Sequence, residues 1–252
     1  MEVGVQEENR CFNTMGKKQC PVANEEIENV DSLGSSETVA ELGEAYLLGF
    51  AVRCDTNKAL NYFQQAAEAG SAKGMYGMGI MYSQGYSVEV DAKQAIAWWE
   101  KAAEAGGVDA MVALANTYAL DYSELDKVTG ERIVFIGASR LRREEDLDKA
   151  AEWYKKALAT GDEKARQAMG KFENLLGHRA GDAGDREKSF THYTKAAEYG
   201  NAHAMDRLAM YYLDKEDYFE NPECEEKHTY WLEQAAKHGS KYAKELLAGR
   251  AS

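Results

Sequence analysis

The chain has 252 residues, of which 43 are acidic and 30 basic, and its formal net charge is −13. Because nucleic-acid binding depends on clustered Lys and Arg, this balance disfavours a nucleic-acid partner. No apolar run approaches the length of a membrane-spanning helix, so membrane insertion is not expected. Abundant Ala and Glu with only 2 prolines favour helix throughout.

The first residues, MEVGVQEENRC, lack the basic and apolar regions of a secretory signal, which predicts a cytoplasmic protein if Met1 is the true start. Residues 1–36 show no helical period and are expected to form a weakly ordered tail; a processing segment or docking peptide is the alternative. The four cysteines, Cys11, Cys20, Cys54 and Cys224, are expected to be reduced thiols, with a disulfide in the tail as the alternative.

One phrase then recurs five times along the chain. Its copies read YFQQAAEAG, WWEKAAEAG, WYKKALATG, HYTKAAEYG and WLEQAAKHG. Ala, Glu, Gln and Lys are strong helix formers, and glycine is favoured just past a helix C-terminus. The phrase therefore predicts the end of a helix at each of its closing glycines, which are Gly70, Gly106, Gly161, Gly200 and Gly239.

A second helix is predicted before each phrase. One column holds a large apolar residue in every copy: Leu42, Met78, Leu114, Met169 and Leu208. The next column holds only small residues: Gly43, Gly79, Ala115, Gly170 and Ala209. Since glycine inside a helix costs about 1 kcal/mol relative to alanine, its recurrence indicates helices that approach closely. The repeating unit is therefore a helical hairpin.

In the second copy this pattern reads Gly74, Met78, Gly79, Tyr82, Gly85, Val88, Asp91, Ala95, Trp98, Trp99, Ala102, Ala103 and Gly106. It resembles the Sel1-like repeat (SLR) family, relatives of the tetratricopeptide repeat, over about residues 37–239. The resemblance implies an all-α, right-handed α/α superhelical solenoid of about five helical hairpins. Residues 37–252 are expected to form that solenoid, and Tyr242, Leu246 and Leu247 at helical spacing predict a C-terminal capping helix.

Start signals accompany the second helix of most hairpins. Asp55, Asp91, Asp146 and Asp185 share a column where a carboxylate can accept hydrogen bonds from first-turn amides. In the fifth copy the start moves to Asn221-Pro222, an N-cap followed by a proline that suits the first helical position.

Three departures from the family pattern stand out. Ala51 and Ser87 replace the second loop glycine, which leaves that loop's conformation open. In the fourth copy Glu173 replaces tyrosine, and the glycine-rich stretch 177–184 is expected to be a mobile loop.

The third departure is an insertion at about 121–145. It carries an apolar run over residues 133–136, followed by a basic cluster. Two interpretations stay open. Either the run covers a neighbouring groove while the arginines pair with Glu144 and Glu145, or the segment contacts a partner. The candidate partner-binding residues here are Phe135, Arg140, Arg142 and Arg143.

No catalytic residue, cofactor site or metal site is predicted. The glycines form no phosphate-binding loop, and the Ser-x-x-Lys spacing of β-lactam-acting enzymes does not occur. Cys224 and His228 lie one helical turn apart, but a structural zinc site needs four ligands, so an ordinary surface histidine is favoured. The aromatic column, Tyr62, Trp98, Trp153, His192 and Trp231, is interpreted as core filling.

The resemblance implies a concave face lined by the first helix of each hairpin. By column, its ligand-facing positions are Ala40, Glu44, Leu47, Tyr76, Ile80, Ser83, Val112, Asn116, Ala119, Gln167, Lys171, Asn174, Asp206, Met210 and Leu213. The predicted partner-binding residues among them are Glu44, Tyr76, Ile80, Asn116, Gln167, Lys171, Asn174, Asp206 and Met210.

The implied function is a non-catalytic scaffold or adaptor for a protein or peptide of basic or mixed charge. An immunity or inhibitor protein that masks a toxin is the alternative, a structural spacer is a further one, and a hydrolase acting on cell-wall or β-lactam-like substrates is disfavoured. The sequence does not predict the oligomeric state.

Overall fold

The computed structural model of the protein describes residues 35–50, 52–119, 146–214 and 221–250. The predicted tail and the insertion, with Phe135, Arg140, Arg142 and Arg143, lie outside the described residues. The chain divides into two compact units. The name unit 1 denotes the described residues up to 119, and unit 2 denotes those from 146 onward.

The described parts of both units are built from α-helices and contain no strand. Unit 1 has α1 (Ser36–Leu48), α2 (Thr56–Glu68), α3 (Ala72–Gln84), α4 (Ala92–Glu104) and α5 (Val108–Ala119). Unit 2 has α6 (Leu147–Leu158), α7 (Glu163–Asp182), α8 (Arg186–Glu198), α9 (Ala202–Leu213), α10 (Pro222–Lys237) and α11 (Lys241–Arg250).

Within each unit every helix packs against the next, and in unit 1 helix α3 also packs against both α1 and α5. Helices α1, α3, α5, α7 and α9 are called A helices, and α2, α4, α6, α8 and α10 are called B helices. The predicted all-α fold of helical hairpins is confirmed.

The predicted N-caps of the B helices are confirmed. Asp55 Oδ1 accepts hydrogen bonds from the Asn57 and Lys58 amides, both at 3.0 Å. Asp91, Asp146 and Asp185 cap α4, α6 and α8 in the same way, and Asn221 caps α10 with Pro222 in its first turn. A side chain that satisfies first-turn amides fixes where each helix begins.

Most A helices begin with caps that the sequence reasoning missed. Ser71 Oγ accepts from the Gly74 amide at 3.0 Å, and Asn201 Oδ1 accepts from the Ala204 amide at 3.0 Å. Each capping residue directly follows a closing glycine, so the pair of glycine and small polar residue was the available signal. Helix α5 lacks this signal, because the closing glycine Gly106 is followed by a second glycine, Gly107, which has no side chain to act as a cap.

The closing glycines all have left-handed backbone, from φ 76° at Gly161 to φ 99° at Gly239, as their position predicts. Ser87 has φ 56° and is the non-glycine residue with positive φ among the described residues. Its hydroxyl donates to Thr56 Oγ1 at 2.7 Å, which joins the α3–α4 loop to the start of α2. Ser87 therefore keeps a conformation that suits glycine better.

The left-handed backbone conformation of Ser87 leads to a testable expectation. Ser87→Gly should be about 1 kcal/mol more stable than Ser87→Ala, because both variants lose the hydroxyl but only alanine keeps a Cβ in the left-handed region. Urea unfolding of the two variants measures the difference. Equal midpoints would show that the loop does not hold residue 87 at positive φ.

The aromatic column that the sequence analysis interpreted as core filling begins with Tyr62 and Trp98, but it does not fill the core. In each copy the residue directly after that column is the buried one, with Phe63 3% and Trp99 4% exposed. Tyr154, Tyr193 and Leu232 are the buried residues of the other copies.

The aromatic column that contains Trp98 and Trp153 lies at the edge of the core. Trp98 is partly buried against the cluster that contains Phe63, and Lys101 Nζ lies 4.3 Å from its ring centroid. Lys156 Nζ covers Trp153 in the same way at 4.1 Å. The prediction that Trp98, Trp153 and their equivalents fill the core is therefore correct only for the part of each side chain that packs against the core.

The expected mobile loop at 177–184 is wrong over most of its length, because α7 continues to Asp182. A methyl group placed on Gly177 would lie 2.7 Å from the Tyr193 ring, and Ser189 Oγ donates to Gly177 O at 2.8 Å. The glycines thus let α7 lie directly on α8. Most of the segment that was predicted to be a loop is therefore a closely packed part of α7.

In the same hairpin a polar pair replaces an aromatic pair. In the first hairpin Tyr46 and Tyr62 stack with ring centroids 5.5 Å apart and planes 13° apart. Glu173 and His192 occupy the same columns in the fourth, and His192 Nδ1 lies 2.7 Å from Glu173 Oε2. The departure from tyrosine at position 173 is therefore matched by the histidine that it faces.

His228 is not the surface histidine that was favoured. It is 1% exposed, and its Nδ1 lies 2.8 Å from the carbonyl oxygen of Ala209, to which it donates. Cys224 is buried as well. Among the described residues no group of three His, Cys, Asp or Glu side chains is placed to hold a metal ion. No helix in the described ranges is long and apolar enough to span a bilayer.

Candidate functional site

The A helices of unit 1 lie side by side and present a shared surface. Residues three, four or seven apart share one face of a helix, which groups Glu37, Glu41 and Glu44 on α1. The same spacing groups side chains on α3 and α5. This surface, called the A face of unit 1, comprises Glu37, Glu41, Glu44, Lys73, Tyr76, Ile80, Asp109 and Asn116.

Tyr76 lies in the middle of the A face of unit 1. Burial raises the pKa of Tyr76 to about 12, and the carboxylates of Asp109 and Glu44 contribute to the rise. Those two carboxylates belong to α5 and α1, the helices on either side of α3. The phenol therefore stays neutral at physiological pH, and it is influenced by the negative charges of both neighbouring helices.

Lys73, one turn before Tyr76, is held by the acidic residues of α1. Its Nζ lies 2.8 Å from Glu44 Oε2 and 3.7 Å from Glu41 Oε1. Partial burial lowers the pKa of Lys73, but the hydrogen bond with Glu44 and the charges of Glu41 and Glu37 outweigh burial, so the pKa is raised. The lysine stays charged.

The sequences of α1, α3 and α5 contain four carboxylates and this one lysine, so the A face of unit 1 is acidic. Its helices are fixed to one another near the edge of that face. Ser71 Oγ caps α3 and also donates to Glu37 Oε1 at 2.7 Å, which links the start of α3 to α1. Ile80 and Asn116 are partly buried and add an apolar and an amide group. The surface is thus preorganised by contacts between its helices.

The predicted site residues of unit 2 are more closely involved in internal contacts. Gln167 and Lys171 are exposed on α7, and Gln167 Nε2 donates to Glu163 Oε1 at 3.0 Å. Asn174 is 5% exposed, and its Oδ1 has no hydrogen-bond partner among the residues that the structure describes. Asn174 therefore contributes no exposed surface.

The last two predicted residues of unit 2 contact the capping helix. Asp206 accepts hydrogen bonds from Ser240 Oγ at 2.8 and 2.9 Å, and burial raises the pKa of its carboxyl despite them. Met210 Sδ accepts from the Tyr242 hydroxyl at 3.3 Å. Helix α11 and Ser240, the residue before it, thus contact two side chains that the sequence predicted to bind a partner, as a terminal capping helix does.

The two sets of A helices also differ in charge. In unit 2, α7 and α9 carry both signs, with Lys164, Arg166, Lys171, Arg179 and Arg207 among their basic residues. The acidic character belongs to the A face of unit 1. The sequence analysis predicted four residues of this face and missed the other four. The predicted ones are Glu44, Tyr76, Ile80 and Asn116, and the missed ones are Glu37, Glu41, Lys73 and Asp109. A search for charged residues three, four or seven positions from the named ones would have found these.

Comparison with solved structures gives several similar chains. A Sel1 repeat protein from Oxalobacter formigenes is 25% identical with a TM-score of 0.56, over 86% of this chain and 78% of that chain. A protective antigen with an SLR fold from uropathogenic Escherichia coli is 23% identical with a TM-score of 0.47, over 84% of this chain and 48% of that one. An immunity protein from Pseudomonas aeruginosa is 17% identical with a TM-score of 0.38, over 82% of this chain and 67% of that chain.

No match was found among curated proteins. The Sel1 repeat model matches residues 36–71, 72–107, 135–162, 168–201 and 229–240, which together exceed half of the chain. Repeats of this kind typically mediate protein–protein interaction, and their fold is generally a non-catalytic scaffold. The first two matched ranges coincide with the hairpins α1–α2 and α3–α4, and the fourth covers most of α7 and all of α8. The chain belongs to the Sel1 repeat family.

Proposed function

We propose that this protein is a non-catalytic scaffold or adaptor that binds a protein partner on the A face of unit 1. The bound segment carries lysine or arginine. The observation that carries the proposal is that α3 with Tyr76 packs against both α1 with Glu44 and α5 with Asp109, three helices that together carry four carboxylates and a single lysine.

The chemistry of this surface suits a basic segment. Carboxylates bind guanidinium and ammonium groups through charge-assisted hydrogen bonds. A tyrosine ring beside them adds a cation–π contact of about 0.5–2 kcal/mol, depending on how far the cation is desolvated. Ile80 offers an apolar contact, and the Asn116 amide can hydrogen-bond a peptide backbone. Lys73 already neutralises part of the charge of Glu44.

Other predicted contacts stay secondary in this proposal. Gln167 and Lys171 of unit 2 and the insertion residues Phe135, Arg140, Arg142 and Arg143 remain predicted partner contacts. A cytoplasmic setting is also part of this proposal.

The proposal is tested with an array of labelled synthetic 15-residue peptides that differ in lysine and arginine content at fixed apolar content. The full chain should prefer the basic peptides, and its binding should weaken with salt. The double variant Glu44→Gln/Asp109→Asn should bind them at least tenfold more weakly. The matched control Glu100→Gln/Glu104→Gln removes the same charge from exposed positions of α4 and should bind as the unaltered chain does.

Two outcomes would contradict the proposal. One is equal weakening in both double variants, since that would assign the preference to net charge and not to the A face of unit 1. The other is an absence of any preference for basic peptides in the unaltered chain.

A further inference from the structure

All five histidines of the chain lie between residues 178 and 238, and residues 1–126 contain none. Histidine is the side chain whose charge ordinarily changes between pH 5 and 8. Any histidine-dependent response of this protein to mild acid therefore arises in the second half of the chain. Among the five, His178 occupies a distinctive place on the extended α7.

His178 lies where α7 is pressed most closely against α8. Its ring meets the Tyr193 ring edge-on, with centroids 5.5 Å apart and planes at 87°. The neighbouring Gly177 leaves no room for a side chain, and its carbonyl accepts from Ser189 Oγ at 2.8 Å. One turn later, a methyl group on Gly181 would lie 3.3 Å from the same hydroxyl. The imidazole is thus confined by tight helix packing on one side.

The titratable groups around His178 come from each helix packed there. Tyr193 belongs to α8, Arg207 and His203 belong to α9, and Asp182 lies one turn along α7. Burial lowers the pKa of His178, Arg207 and His203 lower it further, and Asp182 partly offsets them. A protonated His178 would add a positive charge beside Arg207 in a half-buried position.

We propose that the contact between the C-terminal half of α7 and α8 is an acid-sensitive element, which loosens when His178 is protonated. The charged imidazolium gains solvent and distance from Arg207 when this part of α7 lifts away. Since His178 binds a proton more weakly in the closed contact than in the open one, opening becomes more favourable as pH falls from about the ordinary histidine value towards the lowered one. Below the lowered value both forms are protonated, and the effect levels off.

This element stands independently of the proposed partner surface, which lies in unit 1. The opening of this contact acts on unit 2, because the same helix, α7, carries the predicted partner contacts Gln167 and Lys171 near its N-terminal end. One proton changes the opening equilibrium by at most tenfold per pH unit.

Hydrogen exchange of the full chain tests the proposal. Two reporter amides are Ala183, which donates to Arg179 O at 3.0 Å, and Asp185, which donates to Ala180 O at 2.9 Å. Between pH 7.5 and 5.5 their protection, corrected for intrinsic exchange rates, should fall by several-fold to tenfold. Amides of α2 and α4 serve as an internal reference, since residues 1–126 contain no histidine, and should keep their protection.

Variants assign the effect to His178. His178→Gln should make the protection of these amides independent of pH, and His178→Phe provides the same test with the ring contact kept if the glutamine variant does not fold. His192→Gln should retain the loss, since His192 pairs with Glu173. The proposal is overturned by pH-independent protection in the unaltered chain. It is equally overturned if both His178 variants retain the loss or if His192→Gln abolishes it.

Discussion

Replacing Trp99 with alanine is expected to lower the free energy of unfolding by about 3–5 kcal/mol. Its ring is 4% exposed and lies against α3, where a methyl group on Gly79 would collide with Trp99 Nε1. Truncation leaves a cavity that a neighbouring glycine cannot fill. Equilibrium unfolding in urea measures the loss.

The adjacent tryptophan is the matched control. Trp98→Ala should cost less than half as much, because this ring is only partly buried and Lys101 covers its outer side. If Trp98→Ala cost as much as Trp99→Ala, the first aromatic column would carry the core, and the assignment of Phe63 and Trp99 to the core column would be wrong.

Gly74→Ala should lower the free energy of unfolding by about 2–3 kcal/mol. A methyl group on Gly74 would lie 2.6 Å from Ala66 Cβ and 2.7 Å from the backbone nitrogen of Ala67. Backbone atoms cannot rotate aside, so α2 and α3 must separate, and this overpacking outweighs the roughly 1 kcal/mol that alanine gains over glycine in a helix. The shift in urea midpoint gives the value.

Gly249→Ala is the control for this substitution. No atom lies within 4 Å of a methyl group placed there, inside α11. The control should therefore leave stability unchanged or raise it by up to about 1 kcal/mol. A stabilising Gly74→Ala variant would show that these glycines are not sites of close helix approach.

Much of the fold follows from local chemistry and could be predicted from the sequence. The N-capping carboxylate of Asp91 needs only residues two and three positions away, and Gly106 adopts φ 87° because it ends its own helix. Local signals of this kind repeat five times, so the hairpins and their order were predictable. The capping helix was also predictable, although Ala243 is buried in it and Tyr242 is 45% exposed.

What could not be predicted depends on contacts between helices. The stretch after Gly177 has loop composition, yet Tyr193 and Ser189 of α8 hold it as helix. Which of Trp98 and Trp99 enters the core depends on how α4 is rotated against Gly79 of α3. Local propensity carries no information about such rotation.

The candidate site divides in the same way. Column alignment found Glu44 and Tyr76, because ligand-facing positions recur with the repeat. Asp109 was missed because its influence on Tyr76 comes from a neighbouring helix and a different column. Asn174 was chosen by column alone, and the packing of α7 buries it.

Site-specific photo-cross-linking tests the central claim, partner binding on the A face of unit 1, most directly. A photoreactive phenylalanine analogue is placed at Ile80, on this face, or at the exposed Asn61 on α2 as a control. Cross-linked partner peptides from an extract of the source cell are then mapped by mass spectrometry, and their identity separates a general adaptor from an inhibitor of one toxin. The account predicts cross-links from position 80, absent from position 61, to partner segments that carry lysine or arginine. Cross-links from position 61 alone, or to acidic segments from position 80, would contradict it.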